Sequence, residues 1–380
     1  MLTLALPLGS THGWGICGTQ LSLALARLEP LRLVAPQFDA TVVQDEFDYE
    51  ALQPLVVDPA QLELIEEEVK ASPVLQAATD HRLLPMAPGV RGRRNILYTF
   101  FEHSILAPEN LENARSFDVV VGGSTWCRDV LRAHGLPGAE AIVQGVDRSV
   151  FNACGNVKRF HEDAFVVFSG GKFEYRKGQD LVIAAFRVFQ QRHEDVMLVN
   201  AWFNHWAHSW GTMAASPHIE FVPWAEDHCA NVQELLARNG IDLSRVLTLP
   251  PKPNHAMARV YRNSDCGLFP NRCEGGTNLA LMEYMACGKP AIVSNSTGHR
   301  DVASPTTALL LDALARTDVR VGDRKVAEWD EPSVEEILER LEWAYGHREA
   351  LGEIGRAAGA AMDDYSWDAA AAQFHRLLVA

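Results

Sequence analysis

The chain has 380 residues, 47% of them hydrophobic and 22% charged, which is close to the soluble average and excludes disorder, collagen and coiled coil. Its length suits about two domains, each large enough to bury its own core. With 34 basic against 49 acidic side chains the net charge is −15, which argues against a protein held on nucleic acid by counterion release.

Taken in chain order, the apolar start Leu2–Leu8 predicts a buried strand. It lacks the basic flank of a secretion signal and runs straight into glycines. A loop is expected over Gly9–Gly18 and a helix over Thr19–Arg27, with further strands at Leu31–Ala35, Asn95–Thr99, Val119–Gly122 and Ala141–Gln144. After Gly145–Phe151 and a polar stretch, Ala164–Ser169 opens a second series. It has strands at Val196–Ala201, Ile219–Val222, Val246–Leu249, Cys266–Phe269 and Ala291–Ser294, with helices at Gln179–Arg192, Asn231–Asn239, His255–Arg262 and Asn278–Ala286. From about Pro332 the chain reads as helical and closes with the amphipathic stretch Trp367–Leu378. This alternation predicts an α/β protein of two doubly wound, Rossmann-like domains facing across a cleft. The first domain is expected over 1–155, with the last helix, about 367–380, returning to it; the second is expected over 156–366. No run is long enough to span a bilayer. Cys17, Cys127, Cys154, Cys229, Cys266, Cys273 and Cys287 form no C-x-x-C pair, which predicts reduced thiols and favours the cytoplasm.

Two segments carry the chemistry. In Glu274-Gly-Gly-Thr-Asn-Leu-Ala-Leu-Met-Glu283, Gly275 and Gly276 permit close backbone approach, Thr277 can cap, and the helix from Asn278 would present free N–H groups to an anion. A carboxylate beside an anion site is best explained by hydroxyls, so Glu274 points to a sugar next to a phosphate. In Ser169-Gly-Gly-Lys172-Phe-Glu-Tyr-Arg-Lys177-Gly178, the cations stand where a loop meets the same crevice and could neutralise a diphosphate leaving group. The structural alternatives are a capped helix with solvated glutamates and an ordinary cationic loop.

Gly171-Lys172-Phe-x-x-x-Lys177-Gly178 resembles the G-[RK]-hydrophobic-x-x-x-K-G signature of retaining GT-B glycosyltransferases of family 4, and Glu274–Glu283 with Ala286-Cys-Gly-x-Pro290 resembles their E-x(7)-E motif. The Gly13-Trp-Gly15 loop, Gln144-Gly-Val-Asp147 and Ser366-Trp367 extend the resemblance over most of the chain. It implies transfer of a sugar from a nucleotide-diphosphate donor with retention and no obligatory metal or other cofactor. Lys172 and Lys177 would bind the diphosphate, and Glu274 the donor sugar. Backbone groups of Gly275, Gly276 and Thr277 would cradle the distal phosphate, Asn278 and Leu279 would join the donor-binding set, Glu283 would hold the ribose, and Gly13 and Gly15 would let a substrate approach. One departure is plain: eight residues separate Glu274 from Glu283 where the family has seven. Placed inside the helix, the extra residue would rotate Glu283 by about 100°; placed in the Gly-Gly-Thr loop, it leaves Glu283 where the motif needs it.

On the acceptor side, Glu102 and His103 follow a strand and are expected to face the cleft, His103 as a group that positions an acceptor hydroxyl or as a satisfied core residue. His12 has the same standing. The acceptor could be a saccharide, a lipid-linked hydroxyl or a protein hydroxyl. Arg91, Arg93 and Arg94 leave a peripheral contact with an anionic acceptor or lipid headgroups open. His205 and His208 lack the acidic partners of a metal site, so their segment reads as a packed loop. The alternatives on the same architecture are a nucleotide-sugar 2-epimerase and a non-catalytic nucleotide-sugar-binding protein. A dehydrogenase is disfavoured because Pro36-Gln37, and no acid, follows the second strand.

Overall fold

The computed structural model describes residues 1–35, 37–155 and 158–380. Strand β1 (Leu2–Ala5) is buried on both faces because it lies inside a parallel sheet that also contains β2 (Leu31–Leu33), β3 (Pro73–Ala78), β4 (Arg94–Thr99), β5 (Val119–Gly122) and β6 (Glu140–Ala141). The order is β2-β1-β3-β4-β5-β6, so the winding reverses between β1 and β3. β7 (Phe165–Lys172), β8 (Val196–Phe203), β9 (Val246–Thr248), β10 (Cys266–Phe269), β11 (Ala291–Ser294) and β12 (Leu309–Leu311) form a second parallel sheet in the order β12-β11-β10-β7-β8-β9. Read from β9 this is the Rossmann order, with its reversal between β7 and β10. Two doubly wound sheets of six strands thus make the α/β fold that the alternation predicts.

Three local expectations change. The first helix spans Gly13–Ala26, six residues ahead of the expected start, so Gly13, Gly15 and Gly18 are helical. A Cβ at Gly18 would lie 1.9 Å from the carbonyl oxygen of Pro7, so that glycine serves close packing and not a loop. Ile219–Val222 is not a strand. Its apolar side chains pack onto the second sheet's core, and the Val222 carbonyl accepts from Trp210 Nε1 at 2.9 Å. β3 was missed because Gln76 interrupts its apolar run. That side chain is buried and self-contained, its amide donating to the Val90 carbonyl at 2.6 Å and accepting from Ala87 N at 3.2 Å.

A further element follows the second sheet. β13 (Leu314–Val321) and β14 (Arg324–Pro332) pair as an antiparallel hairpin with a two-residue Gly322-Asp323 turn, Gly322 being in the left-handed region. Three helices, Val334–Gly346, Arg348–Ala361 and Trp367–Val379, complete the chain. The last returns to the first sheet: Phe374 meets Tyr98 edge-on at 4.7 Å, and the Leu377 carbonyl accepts from Arg94 Nε at 2.5 Å. Ser366, whose hydroxyl caps that helix, bridges to Val146 where the chain crosses back. The domain boundary expected between 155 and 156 adjoins residues 156–157, which lie outside the described residues, as does Pro36. Among the described residues no helix is long and apolar enough to cross a membrane.

Candidate functional site

The second sheet reverses its winding between β7 and β10, and both signature segments start at the carboxyl ends of these two strands. A cavity of about 350 Å³ opens there, between the sheets. Its walls include Lys172, Arg176, Lys177, Glu274, Gly276, Asn278, Leu279 and Glu283 from the second sheet's side. From the first come His12, Gly13, Trp14, Phe100, Glu102 and Gln144.

Three cations and three carboxylates interlock, with Glu102 reaching them from the first sheet's side. Lys172 pairs with Glu174 at 2.9 Å. Arg176 reaches Glu174 at 2.6 Å, Glu274 at 3.1 Å and Glu102 at 3.4 Å. Lys177 donates to Glu274, as does the amide of Asn271. Burial pushes the Glu274 pKa up, but Lys177 and Arg176 more than offset it and hold the carboxyl at about 2. Burial likewise lowers Lys177, with Glu274 opposing, while Arg176 is raised despite its burial by Glu102, Glu174 and Glu274. Glu274, Glu174 and Arg176 are thus shifted toward their charged forms, whereas burial pushes Glu102 up with Arg176 opposing. A dianion entering the cluster meets cations already gathered.

Gly178 ends the cationic turn at φ 71°, a left-handed conformation, and a Cβ there would lie 2.2 Å from the carbonyl oxygen of Pro270. Glycine is thus required for the turn to lie against the end of β10.

The helix Leu279–Ala286 begins at this cavity. Thr277, expected to cap it, does not: its hydroxyl is buried against the Met282 sulfur at 3.0 Å. The N-cap is Asn278, held at φ 65° with no side-chain cap, so the first N–H groups are left for a ligand. The helix runs unbroken past Glu283, and the loop Gly275–Asn278 takes up the additional length. Glu283 accepts from Asn254 Nδ2 at 2.7 Å and from the Tyr261 hydroxyl at 3.2 Å. Burial pushes its pKa to about 8 against those two bonds, so at neutral pH it is largely a carboxylic acid.

Several expected residues lie elsewhere. His103 does not line the cavity. It stacks on His81 with centroids 3.6 Å apart, and burial followed by that neighbour lowers its pKa to about 4. Gly15 packs the helix against the preceding loop, where a Cβ would come 2.9 Å from Gly9 Cα. Gly275 is not open to the cavity either: its carbonyl accepts from Ser124 Oγ at 2.7 Å, and a Cβ would meet the Phe101 carbonyl oxygen at 2.2 Å. Its freedom from a side chain lets the two domains touch. Of the three arginines, Arg94 holds the last helix and Arg91 lies 4.0 Å over Phe117, which leaves Arg93 exposed. His205 lines the cavity in a loop anchored by the buried Trp202 and Trp210.

Sequence reasoning missed Asn254 and Tyr261 as partners of Glu283, Glu174 as the anchor of two cations, and Arg272. The last is fully buried, bound to Asp180 through two bonds of 2.8 and 2.7 Å and to Glu331 at 2.6 Å. The one visible signal was charge density, Glu-Tyr-Arg-Lys following a strand.

Two facing Rossmann-like sheets with a returning C-terminal helix define the GT-B class of fold. Within it, residues 164–318 match the family described as Glycosyl transferases group 1. Among solved structures the whole chain is similar to sucrose-phosphate synthase from Thermosynechococcus elongatus, at 16% identity and a TM-score of 0.68, covering 99% of this chain and 98% of that one. Anabaena HepE in complex with UDP-glucose matches at 15% identity and 0.67, over 100% and 99% of the two chains. The catalytic domain of starch synthase IV from Arabidopsis thaliana, bound to ADP and acarbose, matches at 13% and 0.64, over 100% and 98%. No curated protein matches the sequence significantly.

Proposed function

We propose that the protein is a retaining glycosyltransferase that moves a sugar from a nucleotide-diphosphate donor to a hydroxyl acceptor, with no obligatory metal. The observation that carries this reading is the convergence of Lys172, Arg176, Lys177 and Glu274 beside the open N-terminus of the helix Leu279–Ala286. The cations and the helix end suit a diphosphate, and Glu274 suits the hydroxyls of the sugar attached to it. As the bond from the anomeric carbon to the diphosphate oxygen breaks, its electron pair goes to the diphosphate, where the three cations stabilise it. The acceptor oxygen bonds the anomeric carbon, and its proton passes to an oxygen of the departing diphosphate. No dedicated base is then required. Glu283, protonated at neutral pH, can both donate to and accept from ribose hydroxyls.

We further propose that residues 1–155 with the helix 367–380 take the acceptor and 156–366 the donor. The family match of 164–318 and the nucleotide or nucleotide-sugar complexes of HepE and starch synthase IV support this division. The test is a melting screen with UDP, GDP, ADP, CMP and their sugar conjugates, because a ligand that binds only the native state raises the midpoint. One nucleotide diphosphate should stabilise the wild type and not Lys177→Ala, and its sugar conjugate should release free nucleotide diphosphate on incubation. Equal stabilisation of both proteins, or none by any compound, refutes the assignment.

A further inference from the structure

The hairpin β13–β14 rises from the second domain and grips a loop of the first. Trp329 Nε1 donates to the Glu102 carbonyl at 2.8 Å, Glu328 N donates to Ser104 Oγ at 2.9 Å, and Ile105 N donates to the Val326 carbonyl at 3.1 Å. Both the backbone of Glu102 and the chain beyond it are thus fixed from across the domain gap. At its base the hairpin is tied to the cationic turn: Glu331 receives Arg272 Nε at 2.6 Å and the Tyr175 hydroxyl at 3.1 Å, and Arg272 Nη1 donates to the Tyr175 carbonyl at 2.6 Å. The ring of Trp329 is buried beside Cys273 and Tyr175. One strap therefore connects the turn carrying Arg176 and Lys177 to the first-domain loop carrying Glu102.

The Glu102 side chain lines the cavity, 29% exposed, and has Arg176 as its one close cation at 3.4 Å. Among the described residues its carboxylate accepts no hydrogen bond, although the oxygens of Glu274 and Glu283 on the opposite wall all do. A carboxylate offers about four acceptor sites, and those of Glu102 are open to donors from a ligand in the cavity. A polyol supplies hydroxyl donors.

We infer that Glu102 binds hydroxyls of the donor sugar from the first-domain side, opposite Glu274, and that Trp329 is a positioning residue that sets it there. The inference rests on the transferase reading and names a sugar contact within that site. Glu102 contributes to the grip on the sugar and not on the nucleotide, so the quantity that isolates it is the ratio of affinities for a nucleotide-sugar and its bare nucleotide diphosphate.

The experiment is isothermal titration of wild type, Glu102→Gln and Trp329→Phe with UDP and with UDP-glucose, or with the diphosphate and conjugate that the melting screen selects. Glu102→Gln keeps the shape and removes the charge. It should lower the sugar-to-nucleotide affinity ratio by about tenfold, the value of a charge-assisted hydrogen bond, with UDP affinity little changed. Trp329→Phe keeps an aromatic ring but removes the N–H with the pyrrole half of the indole, so it should lower the same ratio by about threefold, as loss of a neutral bond to the backbone would. A purely structural role for either residue moves the melting temperature and both affinities together. An unchanged ratio in Glu102→Gln with intact UDP binding overturns the inference alone. An unchanged ratio in Trp329→Phe overturns the positioning role of the hairpin. Failure of the wild type to bind any nucleotide diphosphate or conjugate refutes the transferase reading and the inference with it.

Discussion

Lys177→Met removes one charge from the cluster and keeps the side chain's length, so it reports what that charge does. Glu274 sits at about 2 against an ordinary 4.5, and at ~1.4 kcal/mol per unit the difference corresponds to about 3 kcal/mol of stabilisation of the ionised form. Lys177 shares this with Arg176, and removing Lys177 also removes the cost of burying its own ammonium. The net loss at pH 7 should therefore be roughly 1–3 kcal/mol, below the cost of breaking an isolated buried pair. The sign with pH follows from the depressed pKa. The stabilisation is complete above the unfolded-state value of 4.5 and is lost as pH falls toward 2, because there the unfolded chain takes up the proton first. Urea melts of wild type and Lys177→Met at pH 7, 5 and 3.5 should show a gap that is constant from 7 to 5 and narrows at 3.5. A gap of the same size at every pH would mean that Lys177 acts through packing, and the electrostatic account of the cluster would be wrong.

Glu283 gives the opposite trend. Its pKa of about 8 lies above the ordinary 4.5, so the folded state holds a proton that the unfolded state has lost, and its contribution to stability falls as pH rises from 4.5 to 8 by up to ~1.4 kcal/mol per unit. Glu283→Gln should flatten that slope in melts between pH 5 and 8 and weaken binding of the nucleotide diphosphate; a parallel slope in the variant counts against the burial argument. Gly275→Ala places a methyl carbon 2.2 Å from the Phe101 carbonyl oxygen, backbone against backbone, so the domains must part. The expected result is a loss of about 1–3 kcal/mol and a larger radius of gyration by small-angle X-ray scattering, whereas an unchanged radius and melting point would show that the contact yields freely. Arg272→Met leaves Asp180 buried without its cation and should cost about 3–5 kcal/mol in urea melts, while Asp180→Asn combined with it should recover part of the loss.

What the sequence showed and what it hid divide by the range of the interaction. The alternation of apolar runs with helical patterns is local, and so are the two signature segments. Each follows its own strand, and the reversal of winding between β7 and β10 then sets them side by side. The last helix was legible for the same reason, its period requiring a partner that the first sheet supplies through Tyr98. The hairpin also has a local signal, a Gly322-Asp323 pair after a run, Arg316–Val321, that alternates charged and uncharged residues.

What no local pattern could give is which groups meet across the cleft. Glu102 and His103 are neighbours after β4 and looked equivalent, yet one faces Arg176 while the other turns to His81. The carbonyl of Glu102 and the atoms of Ser104 and Ile105 are held by β14, and the carboxylate lies on the cavity side of that loop. Gly275 obeys the same logic. It looked like part of a phosphate cradle, but its missing side chain admits the Phe101 backbone, next to Glu102 in the chain. The glycine of one domain and the carboxylate of the other are thus placed by a single contact, so loosening that contact at Gly275 should disturb the sugar side of the cavity before it disturbs the diphosphate side.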